Sequence, residues 1–200
     1  MIEWLKEPNN YFGLLFGALI PLIGKLIYFW GSKIYTKIYY STNNDIDISG
    51  YWISKHKSLD NNFDIVELLY IKANKKKSVL LNYQMYYSTL ENNFEKFSGK
   101  GVISGEKFVS FYSSNTSQNI SNGTSNLEIV QKAHYPSFLK GKFFEFENGE
   151  ILSQDYELYH LNNLSFEQKL HFFFRKKVFE NYNIAERFYR NNVQTETIVN

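Results

Sequence analysis

The chain contains four histidines, His56, His134, His160 and His171. Their spacing matches neither H-E-x-x-H nor H-x3–5-H, so the sequence offers no zinc centre. It has no cysteine and no G-x-S-x-G elbow, which removes two common nucleophile signatures. Gly99-x-Gly101-x-x-x-Gly105 lacks the G-K-[ST] that would let a loop cradle phosphate, and it reads as a bulge and a turn between strands. Asp45-x-Asp47-x-Ser49-Gly50 opens like a calcium loop, but the twelfth position holds His56 in place of glutamate. The carboxylates Glu145, Glu147, Asp155 and Glu157 alternate along strands, as a solvated outer face would. No catalytic constellation forms, so neither an enzyme nor a metal or cofactor is expected.

Binding chemistry is better represented. Several strand-like segments mix apolar residues with hydroxyl and amide side chains: Asn82, Gln84 and Ser88; Ser110 and Tyr112; Thr124 and Asn126. Tyr83, Tyr86, Tyr87 and Tyr112 offer flat faces on which a base could stack, and Lys140 and Lys142 could meet phosphates. Each of these is also an ordinary barrel residue. Together they admit a polar, base-sized ligand.

The elements that must position these residues are short strands punctuated by Asn, Gly and Ser. The candidates are 48–56, 63–73, 78–88, 94–103, 107–113, 124–133, 137–147 and 150–160. Asn148-Gly149 is the strongest hairpin signal. Eight strands with mainly short connections predict a mainly β chain, an antiparallel meander closed into a barrel over 48–161. A barrel of that size is filled by side chains or holds one small ligand. Behind it, Ser165-x-x-Gln168 is a capping box. Phe166, Leu170, Phe173, Phe174 and Val178 then recur at helical spacing, predicting an amphipathic helix over 165–190 that covers one end of the barrel or lies on a membrane surface. Asn181 to Asn183 should weaken it.

Ahead of the strands, Tyr11 to Trp30 reads YFGLLFGALIPLIGKLIYFW. At ~1.5 Å per residue, twenty such residues match the thickness of a bilayer's hydrocarbon core. Aromatic residues close both ends, and Lys25 lies near enough to one boundary to snorkel. Residues 1–41 are therefore expected to form a single-pass anchor with a juxtamembrane helix. Lys25, Lys33 and Lys37 lie on its C-terminal side, which places the following domain in the cytoplasm by the positive-inside rule. Gly13 and Gly17 form a G-x-x-x-G pair, and Gly17, Gly24 and Gly31 recur every seven residues. Such a stripe lets helices approach closely in lipid, as in a homo-oligomer. A formal net charge of +2 does not suggest nucleic-acid binding.

The order of elements and several short motifs resemble a known family. Ser49-Gly50-Tyr51-Trp52 looks like an S-G-x-W first strand, and Phe108 to Tyr112 followed by Asn115 is similar to an aromatic strand ending in asparagine. Gly123-Thr124-x-x-Leu127 and Leu139-x-Gly141-x-Phe143-Phe144 complete the likeness. Together with the anchor, they resemble the CD-NTase-associated membrane-helix and lipocalin-like β-barrel effectors of CBASS anti-phage defence and their Panoptes relatives. Those relatives usually carry two membrane helices, where this sequence shows one.

The resemblance implies a bacterial inner-membrane effector. Its cytosolic barrel would sense a cyclic dinucleotide, oligomerise and disrupt the membrane, causing cell death. Tyr83, Tyr87, Ser110, Tyr112, Asn115, Thr124, Asn126 and Lys142 are the candidate ligand-binding residues, and Gly13, Gly17, Gly24 and Gly31 the candidate oligomerisation face. The alternatives are a membrane-tethered carrier of a lipid or other hydrophobic ligand, a CRISPR-linked cyclic-oligoadenylate effector, and an assembly subunit whose barrel binds protein.

Overall fold

In the computed structural model, residues 19–21, 23–25, 27–31, 34–35, 38, 46–58, 62–73, 78–88, 94–114, 122–130, 136–147 and 150–193 are described. The chain divides into two compact units, Met1–Asp45 and Ile46–Asn200. In the first, the described residues between 19 and 38 are helical, and Ile20, Ile27, Tyr28 and Trp30 are exposed. Among the described residues no helix is long and apolar enough to cross a membrane. Much of the expected Tyr11–Trp30 span, including Gly13 and Gly17, lies outside them. Gly24 and Gly31 lie within them, and a Cβ added at either would meet nothing within 4 Å.

The second unit carries the eight predicted strands: β1 (Gly50–Lys57), β2 (Asp64–Ala73), β3 (Ser78–Tyr87), β4 (Phe94–Ser104), β5 (Lys107–Ser114), β6 (Asn122–Ile129), β7 (Phe138–Glu147) and β8 (Glu150–His160). Each pairs antiparallel with the next, and β8 returns to β1 to close the barrel. The period-two alternation of strands assigns each residue to one face. Trp52, Leu69, Leu81, Phe97, Phe108, Leu127, Leu139 and Leu158 turn inward and form one buried core.

The closure is uneven. β7 and β8 pair along ten positions, from Phe138↔Tyr159 to Glu147↔Glu150. β1 and β8 share only Trp52↔His160 and Ile53↔Tyr159, extended by the Leu161 amide donating to the Tyr51 carbonyl at 2.8 Å. Beyond those pairs the two strands run unpaired toward the end where β1 finishes.

The opposite end is stoppered by the S-G-x-W segment. Trp52 is fully buried, donates its indole hydrogen to the Ile48 carbonyl at 2.9 Å and meets the His160 ring edge-on at 4.7 Å. Gly50 holds φ at +136°, and a Cβ there would strike the His160 imidazole, so only glycine fits the turn into β1.

The predicted C-terminal helix is two helices, α1 (Phe166–Phe174) and α2 (Tyr182–Val193). The capping box forms as expected: the Gln168 amide donates to Ser165 Oγ at 3.1 Å, and the Ser165 amide to Gln168 Oε1 at 2.8 Å. The helix ends at Phe174, and past that break the wall of the barrel supplies acceptors to the backbone. Tyr86 Oη accepts from the Val178 amide at 3.1 Å and from the Phe179 amide at 3.0 Å, while Gln84 Oε1 accepts from Val178 at 3.0 Å. Asn181, expected only to weaken a helix, starts the next one: its Oδ1 accepts from the Ile184 amide at 3.1 Å, as an N-cap does.

These helices cover the outer wall, not an end. Ile53, Val66, Leu68 and Tyr86 on the outside of β1–β3 form a second core with Phe172, Val178, Phe179 and Ala185. Lys55 ties α2 to β1 through Glu186 at 2.5 Å.

Candidate lumenal site

The lumen is divided by polarity along its length. Around the Trp52 end, Leu69, Ile71, Leu81, Phe108, Leu127 and Leu139 are each less than 2% exposed, so that half is lined by apolar side chains shielded from water. Toward the other end the inward positions become polar and aromatic. Ser54, Glu67, Tyr83, Ser110, Tyr112, Ser125 and Tyr156 are all buried there.

Glu67 is the centre of this polar half. It shares its face of β2 with Ile65, Leu69 and Ile71, and it is 1% exposed. Tyr156 reaches over from β8 and donates its phenolic hydrogen to Glu67 Oε1. Burial pushes the Glu67 carboxyl up to about 7; the nearby Glu145 charge adds to the rise and the Tyr156 hydrogen bond opposes it. The group therefore titrates well above the ordinary carboxylate range. His56 is packed against Tyr156 at 5.5 Å and Phe143 at 6.4 Å, and burial lowers its imidazole to about 4.

Two further inward carboxylates each accept from a tyrosine. Tyr112 donates to Glu145 Oε1 at 2.6 Å, and Tyr87 to Glu95 Oε2 at 3.2 Å. Burial, reinforced by these carboxylates, raises Tyr83, Tyr87, Tyr112 and Tyr156 above the ordinary phenol value, so all four stay protonated donors. Between them Tyr83 Oη lies 3.3 Å from Ser110 Oγ, which lies 2.6 Å from Ser125 Oγ. The rings form a continuous file: Tyr83 meets Tyr112 at 5.3 Å, and Tyr112 lies parallel to Phe143 at 5.5 Å.

The candidates from the sequence separate cleanly on this geometry. Tyr83, Tyr87, Ser110 and Tyr112 come together in the lumen. Thr124, Asn126 and Lys142 do not: β6 and β7 alternate, and all three are exposed on the outer face. Thr124 Oγ1 bonds the Ser110 carbonyl at 2.7 Å, while Asn126 and Lys142 sit opposite one another in register. Lys140 is also outside, 3.5 Å from Glu157. Asn115 lies outside the described residues. Glu145, expected on the solvated face, turns inward with Leu139 and Phe143.

The lumenal charge is one-sided. Lys55, Lys57, Lys72, Lys96, Lys100, Lys107, Lys140 and Lys142 all occupy outward positions of their strands. Among the described strand residues no lysine or arginine faces in, whereas Glu67, Glu95 and Glu145 do. Such a surface accepts hydrogen bonds and attracts donors or cations, and it repels anions. No group of three or more His, Asp or Glu among the described residues is arranged to hold a metal ion.

Fold and site together define an eight-stranded meander barrel with an apolar half and an acidic, tyrosine-rich half. No protein-family model matches the chain, and no curated protein matches it in sequence.

Proposed function

We propose that this chain is a membrane-anchored receptor whose barrel takes a small ligand by its hydrogen-bond-donor edge. In this reading, occupancy of the barrel drives assembly of the anchors and disruption of a bacterial inner membrane. The observation that carries the ligand class is the inward set of Glu67, Glu95 and Glu145 with no inward lysine or arginine in the described strands. A ligand reaches these groups where β1 and β8 are unpaired, beside His56 and Tyr156.

This charge pattern restricts how a cyclic dinucleotide, the ligand implied by the sequence resemblance, could bind. Its phosphodiesters are excluded from the acidic half by Coulomb repulsion. Its bases are suited to it, because exocyclic amino groups donate to carboxylates and ring faces stack on Tyr112 or Tyr83. The nucleotide therefore enters base-first with its phosphates outside. A hydrophobic-ligand carrier is the weaker reading, since the inward carboxylates Glu67, Glu95 and Glu145 and the buried tyrosines around them offer polar partners that an apolar ligand would leave unused.

The anchor rests on the Tyr11–Trp30 apolar run, supported by the exposure of Ile20, Ile27 and Trp30 on helical backbone, which leaves apolar surface requiring cover. The positive charges at Lys25, Lys33 and Lys37 put the barrel in the cytoplasm.

Thermal unfolding of the full chain in mild detergent, against cyclic dinucleotides, cyclic oligoadenylates, nucleosides and fatty acids, tests this. A lumenal ligand at a hundredfold over Kd adds ~2.7 kcal/mol. Glu67→Gln and Glu145→Gln should weaken that gain, and Lys142→Ala should leave it unchanged. Stabilisation by fatty acids alone, or nucleotide binding that depends on Lys142 and not on Glu67, overturns the assignment.

A further inference from the structure

Helix α1 carries its apolar side outward. Phe166, Leu170, Phe173 and Phe174 fall within about 100° of one another on a helical wheel, and they are 69, 39, 57 and 74% exposed. The opposite side supplies the hold on the barrel through Phe172, which is 7% exposed and packs against Tyr51 at 5.2 Å, Phe179 at 5.8 Å and Phe188 at 5.7 Å. A helix that merely completed a core would turn its larger apolar face inward. Here one ring is buried and four large side chains are presented to the surroundings.

The charge around this face is basic. Lys169 flanks it within the helix, and Arg175 and Lys176 follow directly, all exposed. Glu167 is the single acidic residue between Phe166 and Lys177. We infer that α1 is a membrane-docking face that seats Phe166, Leu170, Phe173 and Phe174 among the acyl chains of an anionic bilayer, with Lys169, Arg175 and Lys176 at the headgroups. Large aromatic and leucine side chains beside a cationic rim are the pattern of an interfacial helix. A second copy of the chain fits the same face less well, because a two-fold contact would bring both sets of cations together. This inference does not rest on the lumenal ligand, nor on the Tyr11–Trp30 anchor.

The absence of native cysteine makes a direct test available. Phe174→Cys, labelled with a polarity-sensitive fluorophore in the full chain, is added to vesicles of phosphatidylcholine alone or mixed with phosphatidylglycerol, with nitroxide-bearing lipids as quenchers. Ile151→Cys on the exposed barrel surface serves as the control. Blue-shifted emission and quenching at position 174, absent at 151 and strongest with phosphatidylglycerol, are expected. Arg175→Gln and Lys176→Gln should each reduce the ratio of engaged to free helix by roughly fivefold. A water-like spectrum at 174 in both vesicle types overturns the inference. So does a shift that follows protein density and not lipid composition, which would assign the face to a second copy. Flotation with pure phosphatidylcholine vesicles reports separately on the anchor: a chain lacking it still engages anionic vesicles through α1.

Discussion

Tyr156, on the last strand of the barrel, hydrogen-bonds through its hydroxyl to Glu67, on the second strand, across the inside of β1. The pair lies beside the part of the β1–β8 seam that carries no ladder pairs, so the barrel wall is weakest where its interior is most polar. The bond makes the Tyr156 hydroxyl a donor that a ligand must displace or extend. The carboxyl, raised to about 7, can answer a ligand as acceptor or as acid.

Two lumenal groups should pull the pH dependence of stability in opposite directions. Glu67 rises from its ordinary 4.5 to about 7, so the folded chain binds more protons than the unfolded one in that range. Stability from this group is full below about 4.5 and falls as pH rises toward 7, by ~3 kcal/mol. His56 falls from 6.5 to about 4, so the unfolded chain binds more protons, and stability rises between about 4 and 6.5 by ~3 kcal/mol. The native protein should therefore show a nearly flat urea midpoint from pH 4.5 to 6.5. Glu67→Gln should expose the rising limb, and His56→Asn the falling one. Parallel pH profiles for the native chain and both variants would refute this opposition.

The segment between α1 and α2 is held to the barrel wall by the Tyr86 hydroxyl together with the Gln84 amide oxygen. Tyr86 Oη accepts from two backbone amides and donates to Gln84 Oε1 at 2.7 Å. Tyr86→Phe keeps the ring contacts with Phe94 and Phe179 but removes the Oη acceptor from a buried amide at Phe179. Chemical denaturation should show a loss of ~1–3 kcal/mol, with faster hydrogen exchange at Phe179 than at Val178, which keeps Gln84. Equal exchange at the two amides would count against the assignment.

The strands were legible because each carries its own local signals, alternation and flanking turn residues, so β1 to β8 fall within a few residues of their expected bounds. The facing of individual residues was harder to read. β3 reads SVLLNYQMYY, with tyrosine on both faces, and aromatic identity does not separate the lumenal Tyr83 from the outer Tyr86. The separation comes from contacts made by chain far along the sequence, Ser110 for the first and Phe179 for the second. Glu67 did leave a signal: a lone carboxylate in the same parity as Ile65, Leu69 and Ile71. Its partner Tyr156 was not legible, because the register of β8 against β1 at the closing seam carries no local signal. The anchoring of the segment past α1 was equally hidden, since its acceptors Gln84 and Tyr86 lie on a distant strand.

The outer-face residues Thr124, Asn126 and Lys142 should be nearly silent. All three are exposed on β6 and β7, away from both cores. Alanine at Asn126 or Lys142 should change stability by less than ~0.5 kcal/mol. Thr124→Ala should cost slightly more, through its bond to the Ser110 carbonyl and its β propensity. Ser110→Val, which strands both the Ser125 and Tyr83 hydroxyls inside, should cost ~1–3 kcal/mol. Urea denaturation of the four variants checks the ranking, and a Lys142 effect as large as that of Ser110 would contradict the facing assigned here.

Gly123 should be intolerant of any side chain because of what lies against it. A Cβ added there would run into the ring and hydroxyl of Tyr112, and Tyr112 has little freedom to yield. Its ring is stacked on Phe143, edge-on to Phe97 at 5.4 Å, and hydrogen-bonded to Glu145. Gly123→Ala should therefore destabilise the barrel by ~1–3 kcal/mol, as overpacking does. Tyr112→Phe should not relieve it, since the ring atoms themselves collide. Tyr112→Val should relieve it by emptying the space, so the double variant should be more stable than the sum of the single losses implies, a coupling of ~0.5–3 kcal/mol. Additive losses in the valine background would place the cost of Gly123→Ala in the β6 backbone instead of in the Tyr112 ring.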